Sequence, residues 1–151
     1  MELRRCLVLA GALAALMLGP AARAEGDKLF ATRDSPAVVT VTRPAVLESA
    51  RKGNPAVYVQ VTAYRPPSGG GSILIDVKAQ QPGGAERDIG KFGLSLDRPF
   101  TASNASRAQT FRLPLPRDLA ATEPLRLKVY VVPSRGEARD ARVEIGKAEI
   151  R

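Results

Sequence analysis

Leu125-Arg126-Leu127-Lys128-Val129-Tyr130-Val131 alternates apolar and polar residues without a break. Successive side chains of an extended chain point to opposite faces, so this period of two puts Leu125, Leu127, Val129 and Val131 inward and Arg126, Lys128 and Tyr130 outward. A helix would scatter the same residues around its circumference, and the segment therefore predicts a half-buried β-strand. The same period recurs on both sides of it. Upstream, Phe111, Leu113 and Leu115 share one face of a strand that Pro114 and Pro116 confine to a sheet edge, because proline has no N–H to give to a second neighbour. Downstream, Pro133 to Asp140 reads as a charged turn. It leads to a strand with Val143 and Ile145 on one face, a bulge at Gly146 and Ile150 near the end.

Further out the pattern continues. Ala37, Val39 and Val41 alternate with Thr40 and Thr42, and Val57, Val59, Val61 and Ala63 oppose Tyr58, Gln60, Thr62 and Tyr64. Ile73, Ile75 and Val77 open another strand, and Ile89 to Leu96 shifts its apolar parity between Ile89 and Phe92 with Gly90 and Gly93 at the shift, as a bulge requires. Arg65-Pro66-Pro67-Ser68-Gly69-Gly70-Gly71 predicts a hairpin connection and Gln81-Pro82-Gly83-Gly84 a second turn. Asp97 to Arg107 is polar and small apart from Phe100 and reads as a loop. Helical signals are limited to single turns over Ala45 to Lys52 and Asp118 to Ala121. About seven short strands divided by Gly and Pro turns predict an all-β fold, an antiparallel β-sandwich of immunoglobulin-like size over residues 37–151, with residues 25–36 as a loosely held N-terminal arm.

The first 24 residues read as an export signal. Arg4 and Arg5 precede an apolar run from Cys6 to Leu18, Gly19 and Pro20 break it, and Ala22-Arg23-Ala24 offers small residues to a signal peptidase before Glu25. That run is shorter than the roughly 20 residues a spanning helix needs, so the reading is cleavage, export to the periplasm or beyond, and no transmembrane anchor afterwards. The adjacent arginines lack the other residues of a twin-arginine signal, which favours the general secretory route. Of the 23 basic and 15 acidic side chains, 20 and 14 remain once Arg4, Arg5, Arg23 and Glu2 are removed, a net charge of +6. The basic residues are scattered singly, the pattern of a solvated surface.

Composition excludes much chemistry. The sequence has no His and no Trp, and its single Cys, Cys6, lies in the signal. Zinc and copper sites need imidazole or thiolate, so no metal site and no cofactor is expected. No Asp-x-Asp-x-Asp spacing for calcium occurs, and Glu86 and Asp88 beside Arg87 read as a turn with its own counter-charge. There is no Gly-x-Ser-x-Gly elbow, and Gly69-Gly70-Gly71 lacks the Lys-Ser or Lys-Thr of a phosphate loop. The expectation is a protein that is not an enzyme, with no catalytic residues. Three Tyr and four Phe are too few for a stacking surface, so no nucleic-acid partner is expected. Asn104-Ala105-Ser106 matches a glycosylation acceptor, relevant only in a eukaryotic source.

Two residues stand out as candidates for partner contact. Asp76 is the one acid inside an apolar strand; its parity puts it on the outer or rim face, where it either pairs with a cross-strand cation or serves as a functional acid. Phe100 is the isolated aromatic of the 97–107 loop, and it either projects toward a partner or tucks back to plug the end of the core.

The order of the strand motifs adds a resemblance. Ile75-Asp76-Val77, Gly90-Lys91-Phe92, Val131-Val132-Pro133 and Val143-Glu144-Ile145-Gly146-Lys147-Ala148-Glu149-Ile150 together resemble the C-terminal β-sandwich of polyphenol oxidases and tyrosinases, over about residues 56–151. The sequence departs from that pattern in having Leu74-Ile75 where the family has Lys-Phe, in lacking a His after Gly-x-Phe, and in having no copper-binding domain before the sandwich. The resemblance implies a non-catalytic, free-standing accessory that binds a separate tyrosinase-like dicopper oxidase and shields or stabilises its site. The alternative from composition and fold is an envelope or cell-wall binding or structural module that works by strand addition at Phe111 to Leu115 or at the N-terminal arm.

Overall fold

The structure, a computed structural model, describes residues 28–41, 54–94, 98–103, 107–120 and 124–151. The export signal over 1–24, the start of the arm, the helical turn over 45–52 and the Asn104 triplet lie outside the described residues. Nine strands and one helical turn follow in order: β1 Leu29–Thr32, β2 Ala37–Thr40, β3 Ala56–Arg65, β4 Ser72–Gln80, β5 Glu86–Gly93, β6 Phe100–Thr101, β7 Gln109–Pro114, α1 Arg117–Ala120, β8 Arg126–Arg135 and β9 Arg142–Ile150. They form two packed antiparallel sheets, so the fold is an all-β sandwich. The five-stranded sheet runs β1-β9-β3, with both β6 and β7 on the far side of β3; the four-stranded sheet runs β2-β8-β4-β5.

Two strands exceed the seven expected. Residues 29–32, read as part of a loose arm, form β1, whose Leu29 to Thr32 pair with Ile145 to Arg142 of β9 and whose Ala31 is fully buried. Phe100 and Thr101, read as loop, form β6 against Tyr64 and Ala63. β6 is only two residues long, and Leu29-Phe30-Ala31-Thr32 is as long as β2 but has no polar–apolar alternation, so the partner strand rather than the local sequence marks both as extended.

The core lies between the sheets. Val57, Val59 and Val61 of β3 and Val143, Ile145 and Ile150 of β9 on one side meet Ile73, Ile75 and Val77 of β4 and Leu127, Val129 and Val131 of β8 on the other, all buried as their parity requires. Parity fails at one place. Tyr64 was expected to share the outer face with Tyr58, yet it is buried. The pairing with β9 passes from Val61↔Ile145 to Ala63↔Glu144, which leaves Thr62 as an extra residue and turns everything after it over.

The expected bulges are present. In the β3–β9 ladder Gln60 pairs with Lys147 and Val61 with Ile145, so Gly146 is the unpaired residue; a Cβ there would lie 2.7 Å from Thr62 Cγ2. In the β4–β5 ladder Val77 pairs with Gly90 and Lys78 with Asp88, leaving Ile89 as the extra residue and turning its side chain into the core. The 81–84 turn joins β4 to β5 as a true hairpin, closed by a hydrogen bond from Gly84 N–H to the Gln81 carbonyl at 3.1 Å. The 65–71 segment does not. It carries the chain from β3 in one sheet to β4 in the other, each a central member of its own sheet. It runs beside the 136–141 segment, which makes the reverse crossing from β8 to β9, and the Ser68 N–H donates to the Arg139 carbonyl at 2.9 Å.

Candidate functional site

The outer face of the four-stranded sheet gathers most of the ionised side chains whose behaviour the fold alters. Register sets who meets whom there. Asp76 of β4 lies between Lys91 of β5 and Tyr130 of β8, Lys78 lies between Asp88 and Lys128, and Gln80 lies between Glu86 and Arg126. Because paired residues share a face, these side chains make three adjoining rows over the centre of the sheet.

Glu86 ties the rows together. Its carboxylate reaches over β4 to accept from Lys128 Nζ at 2.6 Å and from the Tyr130 hydroxyl at 3.0–3.1 Å. Lys78 Nζ stands 5.6 Å from the Tyr130 ring centroid and 3.5 Å from Asp88. The Glu86-Arg87-Asp88 segment is thus strand rather than a self-neutralised turn: Glu86 and Asp88 take their cations from β8 and β4, while Arg87 points away and pairs with Asp118 of α1. Sequence reading missed this network. Its only advance signal was the outward parity of Lys128 and Tyr130; no local pattern says that Glu86 crosses a strand to reach them.

The hydrogen bond from Lys128 holds the Glu86 carboxyl below the usual carboxylate range, and the same bond raises the Lys128 ammonium. Desolvation, followed by the bond to Glu86, raises the Tyr130 hydroxyl, and the charge of Asp88 raises Lys78. Each shift keeps its group in the form it already has at neutral pH. That is the opposite of the tuning toward neutrality that a general acid or base needs.

The lowered Glu86 carboxyl contributes stability that is fully present above the ordinary carboxylate range and is lost as pH falls through its lowered value. A Glu86→Gln protein, which cannot lose that contribution, is expected to show a shallower fall in melting temperature between about pH 5 and pH 3 than the parent. Parallel melting curves over that range would refute the link between Glu86 and acid stability.

Asp76 is where parity put it, on the outer face with a cross-strand cation, Lys91 Nζ lying 3.4 Å from Oδ2. It is more enclosed than a rim residue, at 8% exposure, and its Oδ1 is buried without a hydrogen bond. The central position of β4 explains this, since long side chains from both neighbouring strands close over it. Phe100 is half-buried in β6 and packs against the core. The two candidates are not brought together: Asp76 belongs to the outer face of one sheet and Phe100 to the edge of the other.

Among the described residues no three His, Cys, Asp or Glu side chains converge as a metal site would require, and no helix is long and apolar enough to cross a membrane. Comparison with protein-family models and with curated protein sequences gave no match. What can be defined is therefore a class, an all-β sandwich with a charged, hydrogen-bonded outer face on its four-stranded sheet.

Proposed function

We propose that this chain is an exported, non-catalytic β-sandwich that binds a tyrosinase-like dicopper oxidase and shields or stabilises its site. One observation carries the reading. Three of the four segments that carry the resemblance are neighbours in space and in register: Ile75 pairs with Phe92 on one side and Val131 on the other, Asp76 pairs with Lys91, and Val77 with Gly90, while Ile73 pairs with Pro133; the fourth, Val143 to Ile150, is β9 of the other sheet. Motifs scattered by chance need not assemble into one block of three adjoining strands. That block presents the Asp76–Lys91 pair on the outer face, and the Glu86–Lys128 pair lies beside it on the same face. With Phe100 packed on the core, this face is the proposed contact.

Mixing the purified protein with the dicopper oxidase encoded nearest to it tests the proposal. The expected result is a complex with a dissociation constant of tens of micromolar or tighter, together with a change in diphenol oxidation or in copper retention. If neither a complex nor an effect on the oxidase is found, the oxidase reading fails and the envelope-module alternative stands.

A further inference from the structure

The two long sides of the sandwich are finished differently. On one side β1 and β2, the edge strands of the two sheets, are joined by the tight turn between them, where Thr32 N–H donates to the Ser35 carbonyl at 2.8 Å. On the other side β5 and β7 are edge strands, and among the described residues no tight turn joins them directly. Phe92 and Phe111 stack across that side with ring centroids 3.9 Å apart, and Gly90 comes so close to Leu113 that a Cβ would lie 3.1 Å from Cδ2. Beyond this contact the two edges part around a groove of about 470 Å³, lined by Asn54, Asp88, Ile89, Arg112, Leu115 and Arg117 together with Pro55, Pro114 and Pro116.

The groove's chemistry is lopsided. Arg87 is taken by Asp118, Arg139 by Glu137 and Arg151 by Glu149, but no carboxylate among the described residues pairs with Arg112 or Arg117. Its one acid, Asp88, is already engaged by Lys78 at 3.5 Å. Two guanidiniums without a carboxylate partner among the described residues, each able to hold a carboxylate through two parallel hydrogen bonds, thus line the same groove as the apolar Ile89, Leu115 and three prolines. Among the described residues no aromatic side chain lines the groove to stack on a nucleobase. Among the described residues the adjacent edge of β5 has no strand beyond it and leaves backbone groups for an extended chain to meet.

We propose that this groove binds an extended acidic peptide segment of a partner protein, with carboxylates on Arg112 and Arg117 and apolar side chains on Ile89, Leu115 and the prolines. The inference does not depend on that partner's being an oxidase. The test is titration of the ¹⁵N-labelled protein with an eight-residue peptide of alternating Glu and Val, with its Lys-for-Glu counterpart, and with polyphosphate. The acidic peptide is expected to bind at roughly 10–100 μM, shifting the amides of residues 54, 87–90, 112, 113, 115 and 117, and the Lys peptide not to bind. Replacing both arginines, Arg112→Gln with Arg117→Gln, is expected to weaken binding at least about tenfold. Shifts centred elsewhere, equal binding of the Lys peptide, tighter binding of polyphosphate at the same amides, or unchanged affinity in the double variant would each overturn the proposal. The shift map uses the unsubstituted protein and decides the matter even if the variant does not fold.

Discussion

Gly71→Ala is expected to be among the most damaging single substitutions in the described part of the chain. Gly71 has φ +112°, a conformation that residues with a side chain rarely adopt, and a Cβ at this position would be driven into the Arg135 carbonyl oxygen. The obstacle is backbone, held in β8 by its pairing with β4, so it cannot move aside as the end of a flexible side chain would. Backbone strain alone costs about 1–3 kcal/mol. With the clash added the expected loss is about 3–5 kcal/mol, a fall in melting temperature of roughly 10–20 °C. Gly69→Ala is the internal control. It also has positive φ, +86°, but a Cβ there meets nothing within 4 Å, so only the strain remains. Thermal melts of the two variants should differ sharply; equal losses would mean that the close crossing at Arg135 does not constrain the fold.

Ile75→Ala should have a comparable effect for a different reason. Ile75 is 0% exposed, it lies midway along β4, and it has Phe92 and Val131 as its register partners on either side. Truncation loses the transfer free energy of three carbons and leaves a cavity that two paired sheets cannot collapse to fill, an expected cost of about 2–5 kcal/mol. Leu74→Ala removes a similar side chain one residue away, where it is half-buried on the outer face, and the loss there should stay below about 1.5 kcal/mol. Chemical denaturation of both proteins measures the difference. A Leu74→Ala loss equal to that of Ile75→Ala would contradict the assignment of inner and outer faces of β4.

Parity along Leu125 to Val131, Ile73 to Val77 and Val57 to Val61 was enough to read the sandwich and most of its core, because in a half-buried strand burial and sequence share one period. Reading stopped where a neighbour rather than the strand itself decides the outcome. Tyr64 turned inward because Thr62 bulges against β9, and nothing in 56–65 announces a bulge that the partner strand imposes. The triple glycine marked a turn but not which sheet the chain would enter next. Asp76 illustrates the same limit within the site. Its face and its cation were legible, whereas its enclosure depends on two strands that lie far from it in sequence. The Glu86 bridge to Lys128 and Tyr130, and the meeting of Arg112 with Arg117 at one groove, are likewise products of strand order, which alternation does not encode.

The place of β9 sets a timetable for the whole molecule. It is the last strand of the described residues, yet it lies between β1 and β3, so Leu29 waits for Ile145 and Val57 waits for Ile150. As the chain leaves the ribosome, the opening strand of the larger sheet has no ladder to join until residues 142–150 have been made, and contacts of such long range form slowly. On the proposed export route the larger sheet would therefore stay open until residues 142–150 have crossed.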